Sequence, residues 1–157
     1  MYKDIIRVLF IEDSRAEALA MSTSLAEYGI VTSHYTGIAE VLFPENSMAA
    51  LLDLNLNATS GVDTLLSFQR RFPHMPVVIV TEIDNPHILS TARKMGVHSC
   101  HCKAVNNSTE LSETVAVALR DAVNSTHAKQ ICVIDATIET IRSHASLLRS
   151  DSNADAG

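Results

Sequence analysis

The stretch Met48-Ala49-Ala50-Leu51-Leu52-Asp53-Leu54-Asn55 decides how the rest of the chain is read. Its apolar run has the length of a buried strand and stops abruptly at a carboxylate; a loop, Gly61 and an amphipathic segment follow. A strand interior has no use for an ionised group, so Asp53 belongs just past the strand's C-terminal end. In open α/β sheets that edge is where ligands bind.

The flanking sequence supplies further strands of the same kind. Residues 5–11 (IIRVLFI) form a nearly continuous apolar run, the pattern of a strand covered on both faces, and end in Glu12-Asp13. Ser14 suits a helix N-cap, with Glu17 completing a capping box; Ala18, Leu19, Leu25 and Ala26 then give an apolar stripe that Gly29 stops. Residues 30–34 read as a short strand and residues 38–43 as a short helix closed by Pro44. The helix after Asp53 starts near Gly61 and carries Val62, Leu65, Leu66 and Phe72. Val77-Val78-Ile79-Val80 is a β-branched strand ending at Thr81, and Asn85-Pro86 serves as N-cap and first turn of the next helix. Residues 97–102 make a fifth strand ending at Lys103, and residues 108–124 a last helix with Leu111, Val115, Ala118, Leu119 and Ala122 on one face. Five strands alternating with five helices imply one parallel sheet with helices on both faces. Right-handed crossovers put all strand C-termini on one edge, which gathers Glu12, Asp13, Asp53, Thr81 and Lys103.

Composition narrows the function. A net charge of −6 argues against a nucleic-acid surface, and no apolar run is long enough to span a bilayer. Met1-Tyr2-Lys3-Asp4 does not open a signal peptide, and three cysteines, two of them close together, make a poor disulfide framework. A cytoplasmic protein is expected.

Three carboxylates on one edge repel one another, and a divalent cation is the simplest way to keep them ionised. Mg²⁺, which prefers oxygen ligands and retains waters, fits best. Beside it, Asp53 can act as a nucleophile toward a phosphoryl group, with Lys103 neutralising its oxygens and Thr81 hydrogen-bonding one of them.

The ordered set of an acidic pair, an aspartate with glycine eight residues on, a strand-end threonine and a strand-end lysine resembles the receiver domain of two-component response regulators. The likeness covers roughly residues 5–125. It implies a flavodoxin-like (CheY-like) sheet of order 2-1-3-4-5, with Asp53 accepting phosphate from a sensor histidine kinase or phosphotransfer protein. It also implies that Glu12, Asp13, Asp53 and the backbone carbonyl of Asn55 hold Mg²⁺, and that Thr81 and Lys103 contact the phosphoryl group. Such a domain is a signalling module that assists its own phosphorylation and dephosphorylation, working on a downstream output domain or as a homodimer. Four positions depart from the family pattern: Asn57 and Ala104 stand where proline is usual, Glu82 where a small residue is usual, and Cys100 where the aromatic switch residue is usual. These departures leave the pocket's chemistry intact but not the usual threonine-to-aromatic relay. The alternative from a different class is a pseudo-receiver, an interaction module independent of phosphorylation. A metal-dependent phosphatase would share the acids, but no general acid is placed for it.

His98, Cys100 and Cys102 would share one strand face and could form a thiolate–imidazole metal site, against the plainer reading of small core residues. In the tail, residues 130–135 (QICVID) repeat the first strand and its acidic end, with Asp135 falling on Asp13, Glu139 on Glu17 and Leu147 on Leu25. Residues 1–125 are thus expected to form the receiver-like domain. Residues 126–157 are a linker that carries either the truncated β–α start of a second such unit or an amphipathic helix, since Ile134, Ile138, Ile141, Ala145 and Leu148 also follow a heptad-like stripe.

Overall fold

The apolar runs become five parallel strands in a computed structural model, which describes residues 4–42, 44, 46–56, 61–104 and 107–154. They are β1 (Ile6–Ile11), β2 (Ile30–Tyr35), β3 (Ala49–Leu52), β4 (Val77–Thr81) and β5 (Ser99–Cys102), joined in the order β2-β1-β3-β4-β5. Every residue of β3 and β4 is buried, as expected for central strands covered on both faces. The register pairs Ile11 with both Tyr35 and Leu52, Leu52 with Ile79, and Thr81 with Cys102, so the strand ends finish level.

Strand alternation sorts the core into two layers. Val8, Phe10, Leu51, Val78 and Val80 pack with Leu25, Val115 and Leu119 on one face; Leu9, Ile11, Leu52 and Ile79 pack with Leu65, Phe68 and Ala92 on the other. The helices that supply these partners are α1 (Arg15–Ala26), α2 (Gly61–Arg71), α3 (Pro86–Lys94) and α4 (Ser108–Ala154). The expected doubly covered parallel sheet of order 2-1-3-4-5 is therefore what the chain adopts. On α1 the buried contacts are Ala18 and Leu25, with Met21 packed against them, while Leu19 is exposed.

One element differs from expectation, and the tail takes one of its two expected forms. The helix expected over residues 38–43 is a single 3₁₀ turn, Ile38–Glu40, followed by extended backbone at Val41. Too few residues separate Gly37 from Pro44 for a helix to propagate past its costly first turn. Arg71 at the end of α2 donates to the carbonyls of Ile38 and Val41, which satisfies backbone groups a longer helix would have paired internally. In the tail, residues 130–135 are helical rather than a strand, part of α4. No glycine or proline interrupts the chain between Gly96 and Gly157, and a strand there would need a neighbour to pair its backbone groups. The chain divides into two compact units, Met1–Val123 and Asn124–Gly157, the second described as helix up to Ala154.

Gly96 follows the end of α3 with φ +88°, and a Cβ there would meet nothing within 4 Å. Gly96→Ala should therefore cost about 1–2 kcal/mol, purely from left-handed backbone strain. Urea denaturation should show a lower midpoint with an unchanged slope.

Candidate functional site

The site is assembled from backbone that the sheet fixes. At the end of β1, the Glu12 N–H donates to Tyr35 O (3.1 Å); at the end of β3, the Asp53 N–H donates to Ile11 O (3.0 Å); after β5, the Lys103 N–H donates to Thr81 O (2.9 Å). These ladder bonds hold three functional residues at one edge, and their side chains converge. Lys103 Nζ lies 2.9 Å from Asp53 Oδ2, 3.0 Å from Glu12 Oε2 and 2.7 Å from Glu17 Oε2. An ammonium has three hydrogens, and each has a carboxylate to receive it. Glu12 and Asp53 are buried, at 1% and 3% exposure.

One cation against three carboxylates leaves the pocket short of positive charge. Glu12 absorbs the difference: burial, with the hydrogen bond and the charge of Asp53, pushes its carboxyl up to about 7 against the pull of Lys103. Burial also acts to raise Asp53, but hydrogen bonds with Glu12, with the Asn55 backbone N–H (2.9 Å) and with Lys103 hold it below the usual aspartate range. Burial favours the neutral amine of Lys103, and its three acidic partners overcome this, raising it above the usual lysine range. Near neutral pH the pocket thus holds an ionised Asp53 beside a charged lysine.

The sequence assigns Glu17 to a capping box, and the structure divides that work differently. Ser14 Oγ accepts from the Glu17 N–H (3.3 Å), but the Ser14 N–H donates to Glu12 Oε1 (3.1 Å). The Glu17 side chain is thereby released to Lys103 and to the carboxylate cluster. Oxygens of Glu12, Glu17 and Asp53 lie within 4.8 Å of one another, a donor set able to hold a cation. Asp13 is exposed and is not part of that cluster, because consecutive residues leaving a strand turn to different sides. Asn55 is also exposed. Thr81 is fully buried, and its Oγ1 accepts the Ile83 N–H (3.3 Å), which turns the chain at the end of β4. Gly61 lets α2 start close beneath this edge: a Cβ there would sit 3.2 Å from Ile83 and 3.3 Å from Leu54.

Glu82 lines a groove of about 360 Å³ together with Glu12, Glu17 and Lys103, walled by Phe10, Met21 and Val80. Asn57 lies outside the described residues. Among the described residues, His98, Cys100 and Cys102 form no three-donor cluster. Burial pushes the Cys100 thiol up, away from the thiolate a soft metal needs; His98 pairs with Asp121 (2.9 Å).

No protein-family model matches the chain, and no curated protein does. Solved structures do. A response regulator receiver domain protein from Clostridium thermocellum aligns with a TM-score of 0.67 at 20% identity, over 79% of this chain and 98% of its own. A CheY-like receiver domain protein from Methanospirillum hungatei JF-1 gives 0.62 at 21%, over 78% and 99%. The signal receiver domain of a putative LuxO repressor protein from Vibrio parahaemolyticus gives 0.64 at 23%, over 79% and 97%. With the strand order and the strand-end acids and lysine already in place, these likenesses identify the fold of this chain as that of the response regulator receiver domains.

Proposed function

We propose that Asp53 is a phosphoacceptor and that the chain is a receiver module of a two-component or phosphorelay pathway in the cytoplasm. The observation that carries this reading is the buried contact of 2.9 Å between Asp53 Oδ2 and Lys103 Nζ. It supplies an ionised oxygen nucleophile with a fixed cation beside it. The donor would be a phosphohistidine on a sensor kinase or phosphotransfer protein. An Asp53 oxygen forms the new O–P bond as the P–N bond to the donor imidazole breaks, and the imidazole leaves with the electron pair. Lys103 then exchanges a carboxylate contact for a phosphoryl oxygen, and Thr81 offers its hydroxyl to another.

The donor set fits Mg²⁺, since Glu12, Glu17 and Asp53 present only hard oxygens, close together. Glu12 and Asp53 would hold the ion, with Asp13 and the Asn55 carbonyl as the further ligands that the family likeness implies. When bound, it supplies charge neutralisation for the transferring oxygens.

With Mg²⁺ and a small acyl phosphate, the wild type should gain one acid-stable, base-labile phosphoryl group by mass spectrometry, and Asp53→Asn should gain none. An unmodified wild type, under conditions that phosphorylate a control receiver, would overturn the reading. It would favour the second reading, a phosphorylation-independent interaction module. One observation supports that alternative: all three Lys103 hydrogens already face carboxylates, and Glu82 adds another acid to the same groove.

A further inference from the structure

The second unit carries a stripe that its own helix cannot bury. Ile131, Ile134, Ile138, Ile141, Ala145 and Leu148 recur at alternating spacings of three and four, and the large ones are exposed, from 40% at Ile138 to 72% at Leu148. That is the a/d pattern of a coiled-coil seam: Ile131, Ile138 and Ala145 at a, and Ile134, Ile141 and Leu148 at d. A helix with this much apolar surface in water is stabilised by packing against a partner rather than by propensity.

We propose that this helix is an antiparallel dimerisation element whose partner is the same helix of a second copy. Two complementarities choose that occupant and that direction. In volume, the antiparallel register sets Ile131 against the copy's Leu148, Ile138 against its Ile141, and the small Ala145 against Ile134. A parallel pairing would instead face Ala145 with Ala145 and leave a poorly filled layer. In charge, the flanking e positions hold Asp135, Arg142 and Arg149. Antiparallel helices bring e edges together, so Asp135 of each copy meets Arg142 of the other, twice by symmetry. A parallel pairing sets Asp135 beside Gln130, Arg142 beside Thr137 and Arg149 beside His144, with no opposite charges in contact. This inference is independent of the phosphoacceptor reading, since none of its residues belongs to the carboxylate–lysine site.

Sedimentation equilibrium of the full chain at micromolar concentration is the test. The expected mass is that of two chains, and Ile138→Asp should halve it while circular dichroism retains the α/β signature. Arg142→Asp should raise the dimer dissociation constant roughly ten-fold, by placing two like-charge pairs across the seam. Adding Asp135→Arg to it should restore the wild-type value. A single-chain mass, a three-chain or larger mass, a dimer indifferent to Ile138→Asp, or a charge swap that fails to restore association would each overturn the proposal.

Discussion

Lys103→Met is expected to lower the unfolding free energy by about 3–5 kcal/mol in metal-free buffer, the cost of removing one partner from a buried ion pair. Methionine keeps most of the apolar stem, so the loss isolates the ammonium and its three bonds. Those bonds are unequal in value. Glu17 is half exposed and can turn to water, so its pairing contributes little. Glu12 and Asp53 cannot, with side chains only 2% and 5% exposed. Without the lysine they face one another with no other ion-pair partner among the described residues. Added Mg²⁺ should return part of the loss, because a cation among those oxygens replaces the missing charge and binds only the folded state. Guanidinium denaturation with and without Mg²⁺ checks both halves. A variant as stable as wild type in chelator would show that the acids do not depend on Lys103.

Phe68→Ala is expected to cost about 3–5 kcal/mol, with no recovery in Mg²⁺. Phe68 is fully buried at the heart of the layer between the sheet and α2, with its ring 5.1 Å from that of Phe72. Truncation removes the transfer free energy of the ring and leaves a void that the sheet cannot close over. Phe68→Leu fills much of that space and should cost less than half as much. The two losses thus separate by their metal dependence: one is electrostatic at the strand ends, the other is packing between the sheet and α2. Thermal melts in paired buffers would show it, and an Mg²⁺ rescue of Phe68→Ala equal to that of Lys103→Met would contradict the assignment.

How far the sequence discloses this molecule depends on whether local chemistry or tertiary context decides. Residues 77–80 and 49–52 are legible because central parallel strands are apolar along their length, and little else in a globular chain looks like that. Asp53 and Lys103 are legible because a charge that ends such a run has only the sheet edge to occupy. Glu17 is not: the same Ser14-to-Glu17 spacing that makes a capping box also reaches the pocket, and only the competing bond from Glu12 to the Ser14 N–H decides between them. The tail misleads for the opposite reason. QICVID is rich in β-branched residues, yet it follows a helix with no breaker and finds no strand to pair with among the described residues, so context overrides propensity. The heptad spacing in the same residues carries the better signal.

The position of Lys103 has a consequence for how the molecule folds. Its partners lie 50 and 91 residues earlier in the chain, just past the ends of β3 and β1, and it follows the edge strand β5. Loop closures of that span are slow, and the last of them cannot precede the pairing of β4 with β5. Glu12 and Asp53 should therefore spend part of the refolding reaction near one another without their cation. A trace of Mg²⁺ in the refolding buffer would ease that stage, so the metal should accelerate folding as well as stabilise its product.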